Sequence, residues 1–159
     1  MRVLLIVGKG PGWAEDVAEF EAFGVEHDVM GINDAALWLP KAPRYCFSYQ
    51  PTEAARMQAQ RPEMETHSVL PGEADHCWKM KGDTGGSSSL MGVKVALGPL
   101  GYDRVVLAGV PLSGDYYTNF YRHWQDCAHL LIGRVRSMSG NTRELLGYPD
   151  KEWLNEHIR

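Results

Sequence analysis

Five consecutive apolar residues, Val3 to Val7, run into a loop with three glycines and a proline, Gly8-Lys9-Gly10-Pro11-Gly12, and then into WAEDVAEFEAFG. A short run rich in β-branched residues, with no polar alternation, suits a strand covered on both faces, as in a parallel sheet. Behind the loop, Trp13, Val17 and Phe20, with Ala14 and Ala18, recur at helical spacing. Acidic residues near the start of that segment suit the positive end of a helix dipole, and Gly24 supplies a stop. Strand, glycine loop and helix in this order form the opening of a βαβ unit, which directs the chain towards α/β architectures.

The alternation continues to the other end. HDVMGIND predicts a second short strand, and RYCFSY a third after a turn punctuated by Pro40 and Pro43. PTEAARMQAQ has good helix formers behind an N-terminal proline, THSVL suits a short strand, and PGEADHCWKMKGDTGG reads as a long loop. GSSSLMGVKVALGPLG is helical, and YDRVVLAGV is a strand. YYTNFYRHWQDCAHLLIG is an amphipathic helix with Phe120, Trp124, Cys127 and Leu131 along one side. RVRSMS is the last strand, Asn141 with Glu144 resembles a capping box opening NTRELLG, and a short helix follows Asp150. The expectation is a three-layer, Rossmann-like α/β domain with a mainly parallel sheet. No repeat, low-complexity tract or linker interrupts it, so a single domain over residues 1–159 is expected.

Composition narrows the partners. Of the 159 residues 44% are hydrophobic, enough for a core, and the net charge of −4 comes with no long run of either sign, which argues against a nucleic-acid partner. No apolar run approaches the ~20 residues of a membrane span. The N-terminal run is too short for a secretory signal, so the expected location is cytoplasmic. Cys46, Cys77 and Cys127 are odd in number and widely spaced, which predicts free thiols. A homo-oligomer is left open.

Four segments carry candidate chemistry. Ligands in open α/β sheets bind beyond the carboxyl ends of the strands. The first loop, Gly8, Lys9, Gly10 and Pro11, stands there, and its glycines would let the backbone approach a phosphate or ribose. It matches neither G-x-G-x-x-G nor a Walker A loop, and it also reads as a tight strand-to-helix turn. Asn33 and Asp34 follow the second strand; they suit reading a base or sugar hydroxyl, or capping the next helix. Gly82 to Gly92 places Thr84, Gly85, Gly86 and Ser87 at a helix start, an anion cradle or an N-capping segment of small residues. Tyr116, Tyr117, Asn119, Tyr121 and Arg122 suit donation to a phosphate, and His123 or Asp115 suits proton transfer; the same helix also reads as ordinary aromatic packing. Asp75, His76 and Cys77 adjoin, but adjacent residues rarely converge on one ion and no second ligand pair has the usual spacing, so no metal site is expected.

VLLIVGKGPG, GIND and TGGSSSLMGVKVALGPLGYDRVVLAGVPL, in that order, resemble the Rossmann-like group holding the bacterial family-42 sialyltransferases, the motility-accessory-factor glycosyltransferases and the MptE-like hydroxymethylpterin pyrophosphokinases. The resemblance covers the start of the chain and residues 82–112. It implies a pocket for the nucleotide of a CMP-sugar donor built from Gly8, Gly10 and Pro11, then Asn33, then Thr84, Gly85, Gly86 and Ser87.

The chain also departs from that pattern. Lys9 stands where the group has an asparagine, Val110-Pro111 where it has an aspartate, and Met138 where a late histidine acts as base; a thioether takes no proton. The leading expectation is a nucleotide- or nucleotide-sugar-binding protein, a small glycosyltransferase-like enzyme using a CMP-type donor without metal. Tyr116, Tyr117 or Arg122 would steady the leaving phosphate, with His123 or Asp115 as base. The alternatives are a pyrophosphokinase or nucleotide hydrolase, with Mg2+ held by Asp34, Asp83 or Asp115, and an inactive binding or assembly module.

Overall fold

The apolar run Val3–Val7 forms the central strand β1, and all five of its side chains are buried. The computed structural model describes residues 1–80 and 87–156. The other strands are β2 (Asp28–Ile32), β3 (Tyr45–Phe47), β4 (Glu65–Ser68), β5 (His76–Cys77), β6 (Arg104–Ala108) and β7 (Val135–Ser137). They lie in the order β5-β4-β3-β2-β1-β6-β7, and each of these neighbouring pairs is parallel. The helices are α1 (Trp13–Glu21), α2 (Ala35–Trp38), α3 (Pro51–Gln60), α4 (Ser88–Leu97), α5 (Thr118–Leu131), α6 (Gly140–Leu146) and α7 (Lys151–Asn155). This is the expected α/β architecture, a parallel sheet between two helical layers.

Alternation along the strands divides the core. Leu4, Ile6, Tyr45, Phe47, Val105 and Leu107 face Leu90 and Val93 of α4 and Trp124 of α5. Leu5, Val7, Val106 and Ala108 face Phe20 of α1 and Trp153 of α7 on the other side. The expected stripe of α5 holds: Trp124 and Leu131 are buried, and Phe120 and Cys127 pack against the same core half-buried. The three cysteines are free. No helix among the described residues is long and apolar enough to cross a membrane.

Two local expectations are corrected, and the helix weighed after Asn33 and Asp34 is a single turn. The segment read as a long loop contains β5, a two-residue edge strand whose residues are exposed and so carry no hydrophobic signature. A four-residue helix, α2, follows Asp34. The cap of α6 is Ser139, not Asn141. Asn141 lies inside the helix, and its amide Nδ2 donates to the Leu112 carbonyl at 2.9 Å.

At the amino ends of β2 and β3 a polar network closes the sheet. The Tyr102 hydroxyl donates to Asp28 at 2.5 Å and lies 3.2 Å from the Tyr45 hydroxyl, while Arg44 donates to both Asp28 oxygens at 3.1 and 3.0 Å. Burial alone would raise the Asp28 pKa, but the bonds from Tyr102 and Arg44 outweigh it and hold the carboxyl below its ordinary range. A depressed carboxylate stabilises the fold above the unfolded pKa, and that contribution is lost as pH falls through the folded value. Tyr102→Phe should therefore cost about 1–2 kcal/mol at neutral pH. It should also flatten the acid limb of the stability curve below about pH 4, as denaturant melts across pH would show.

Candidate functional site

Helices α1 and α5, which follow the adjacent strands β1 and β6, lie on opposite faces of the sheet. That reversal is where open α/β sheets place their ligands. At this point the loops after β1, β2, β3 and β6 and the start of α4 surround a cleft of about 680 Å3. Its size falls in the range of small-molecule sites, roughly 300–1,000 Å3.

The β1 loop brings Gly8, Lys9, Gly10 and Pro11 to the cleft. Its glycines also serve the packing of two loops. A Cβ on Gly10 would stand 2.4 Å from Pro111 Cδ and 2.6 Å from the Gly109 carbonyl oxygen, and one on Gly8 would stand 2.7 Å from that oxygen. Glycine here lets the β1 loop and the β6 loop lie against each other, and the Gly10 N–H donates to the Gly109 carbonyl at 2.8 Å.

Asp16, one turn into α1, fixes this junction. Its buried carboxylate accepts from the Gly109 N–H at 2.9 Å and from the Ser139 hydroxyl at 2.7 Å, tying together the loops after β6 and β7. The sequence pattern explains its acidity by the helix dipole alone. Nothing local marks it as buried.

Asn33 lines the cleft in the left-handed region, with φ of 53°. Its backbone is fixed on both sides: its N–H donates to the Phe47 carbonyl and its carbonyl accepts from Ala36. Leu112, on the far wall, has φ of 49°. These are the non-glycine residues with positive φ among those described, and both face the cleft. Such conformations cost on the order of 1–3 kcal/mol and persist where the surroundings impose them, commonly at functional sites.

Asp34 does not cap α2 with its side chain. Its carboxylate accepts from Arg56 at 2.7 Å and stands 3.8 Å from Lys9 Nζ, and Arg56 also reaches Glu53 at 2.9 Å. The four charges are about half exposed, so the pairs add little stability but set where each head group sits. Lys9 thus stands at the rim of the cleft beside Asp34.

Ser87 caps α4: its hydroxyl oxygen accepts from the Leu90 N–H at 3.4 Å. That oxygen also accepts from the Trp124 indole at 3.2 Å and lies 2.7 Å from the Ser89 hydroxyl. Ser87, Ser88 and Ser89 all line the cleft, at the positive end of a ten-residue helix. Thr84, Gly85 and Gly86, and Asp83, lie outside the described residues.

Tyr116, Tyr117 and Phe120 form an edge-on aromatic group on the remaining wall, with ring centroids 5.0–6.2 Å apart. Tyr116 is 78% exposed, unusual for its type and suited to a ligand-facing position. Asp115, Arg122 and His123 lie on the same 3-10 turn and helix but do not line the cleft. Ser48, Tyr49, Gln50 and Glu53 line it without having been expected. The signal for them was available: they follow β3 as Asn33 follows β2.

No family model matches the chain, and no curated protein does. Among solved structures, the sialyltransferase CstII from Campylobacter jejuni, in complex with the substrate analogue cytidine-5'-monophosphate, matches over 99% of this chain and 89% of its own length. The TM-score is 0.62 and the sequence identity 14%. A protein from Lactobacillus plantarum matches over 86% of this chain and 61% of its own, at 15% identity and a TM-score of 0.47. At these identities the likeness to CstII is one of fold.

Proposed function

We propose that the chain binds a cytidine-type nucleoside monophosphate, alone or as the leaving group of an activated sugar, in the cleft at the carboxyl ends of β1, β2, β3 and β6. The observation that carries this reading is the coincidence of the cleft with the reversal point of the sheet and with the two non-glycine residues of left-handed backbone, Asn33 and Leu112. The choice of cytidine rests on the ligand in the CstII structure, whose fold this chain shares. Asn33 would read the base or sugar through its amide. The start of α4, with Ser87 to Ser89 and the segment Thr84–Gly86 before it, would take the phosphate, helped by Lys9 from the rim. Tyr116 and Tyr117 would donate to the phosphate as charge builds on it.

Group transfer further needs a proton acceptor. Asp115 and His123, on the turn and helix that carry the tyrosines, do not line the cleft, so the reading assigned to it is nucleotide binding. Magnesium-dependent chemistry has weaker support, because Asp34, a candidate ligand of the cleft, already accepts from Arg56 at 2.7 Å.

Calorimetric titration with CMP should give saturable binding that Asn33→Ala weakens at least about tenfold, roughly 1.4 kcal/mol. Equal affinity in the variant would remove Asn33 from the site. Undiminished binding in EDTA is expected; binding that requires magnesium would favour the pyrophosphokinase or hydrolase reading.

A further inference from the structure

Away from the cleft, the sheet edge gathers three ligating side chains that no sequence spacing announces. Glu65 and His67 are two apart on β4 and so share a face of the sheet, and His76 of β5 pairs in register with His67. Glu65 Oε1 stands 3.0 Å from His67 Nε2 and 3.1 Å from His76 Nε2, and the three ligand atoms lie within 4.8 Å of one another. None of the three residues lines the cleft.

We infer that Glu65, His67 and His76 form a binding site for a zinc-class divalent transition-metal ion. Two imidazoles and a carboxylate are a donor set suited to such ions and ill-suited to magnesium or calcium. An ion held at about 2.0–2.2 Å sets neighbouring donor atoms roughly 3.0–3.5 Å apart, which is the spacing of Glu65 from each histidine. The second observation is His67 itself. Its ring is fully buried, and Nε2 has no hydrogen-bond partner although the Glu65 oxygen is 3.0 Å away. The carboxylate lies off the line that a hydrogen bond from Nε2 would take. The His76 ring stacks on His67, with centroids 4.9 Å apart and an interplanar angle of 18°, so the exposed His76 imidazole turns to bring its Nε2 onto the ion. Glu65 and His76 are 43% and 44% exposed, so an ion has a route in, and water can complete its coordination.

The neighbourhood makes binding conditional. The Trp78 indole N–H donates to His67 Nδ1 at 3.0 Å, which leaves the neutral ring's proton on Nε2. An ion must take the Nε2 lone pair, so the proton moves to Nδ1 and the indole bond breaks. No net proton is released from this ring. The Trp78 ring also lies nearly parallel to both imidazoles, with interplanar angles of 8° and 10°. Metal binding is therefore coupled to Trp78, and its fluorescence should report the event.

The test is a titration of the chelator-stripped whole chain with zinc chloride, followed by calorimetry and by tryptophan fluorescence. One ion per chain is expected, with micromolar or tighter affinity and a fluorescence change. His76→Ala, at an exposed edge, and Glu65→Gln should each weaken binding about tenfold or more. Trp78→Phe should bind at least as tightly while losing the fluorescence change. No saturable heat with wild type, or unchanged affinity in both His76→Ala and Glu65→Gln, would overturn the assignment. The latter result would place the ion elsewhere, for example on the exposed Cys77 thiol.

Discussion

Gly140→Ala should cost the fold about 2–5 kcal/mol and weaken any ligand of the cleft with it. Gly140 opens α6 with φ of +72°, and a Cβ there would stand 2.3 Å from Pro111 Cβ, 2.4 Å from Pro111 Cα and 2.6 Å from its carbonyl oxygen. Those are backbone and ring atoms, which cannot swing aside as a side-chain tip can. Overpacking costs about 1–3 kcal/mol, and the left-handed conformation adds roughly 1–2 for a residue with a Cβ. The β6 loop would have to retreat, and that loop is held from α6. The Asn141 N–H donates to the Pro111 carbonyl at 2.8 Å, and the Thr142 hydroxyl donates to the Val110 carbonyl at 2.6 Å. Val110, Pro111 and Leu112 are cleft wall, so the damage should reach the ligand. Denaturant melts and CMP titration of the variant check both halves. A variant as stable as wild type would mean that the loop is not held from α6.

Trp124→Ala should cost about 3–5 kcal/mol. Trp124 is fully buried among the core residues under α5, and its indole N–H donates to Ser87 Oγ. Removing it leaves a large cavity and releases the serine that caps α4. A fall in melting temperature on the order of 10 °C is expected for a chain of this size. Trp124→Phe separates the two contributions: it keeps most of the ring volume and deletes only the bond to Ser87. If that bond helps to hold the phosphate end of the cleft, Trp124→Phe should lose CMP affinity while keeping most of the stability. Loss of stability without loss of affinity would limit Trp124 to packing.

Much of this architecture is legible in the sequence because the elements that build it are periodic and long. Val3–Val7, Arg104–Ala108 and the stripe of α5 announce themselves by burial patterns that physics ties to one secondary structure each. What escapes is short or exposed. A two-residue edge strand has no period to detect. The site was half legible for a similar reason. Gly8, Asn33 and Ser87 stand where strand ends and helix starts point, and the fold brings all three to one cleft. Asp16 could not be found that way, since its partners Gly109 and Ser139 come from loops far along the chain. The Glu65–His67–His76 set was hidden likewise. The sequence separates it, and only the pairing of β4 with β5 assembles it. The glycines of the first loop teach a further lesson. They line the cleft, and their missing Cβ atoms also let the loop lie against Gly109 and Pro111.

The central claim is that a nucleotide occupies the cleft between Gly8, Asn33 and Ser87. The most direct test is to titrate the 15N-labelled chain with CMP and follow the backbone amide resonances. Saturable shifts concentrated at Gly8 to Gly10, Asn33 and Ser87 to Ser89, and weakened in Asn33→Ala, are the predicted result. Saturation without shifts at these residues, or no saturable shift at all, would contradict it.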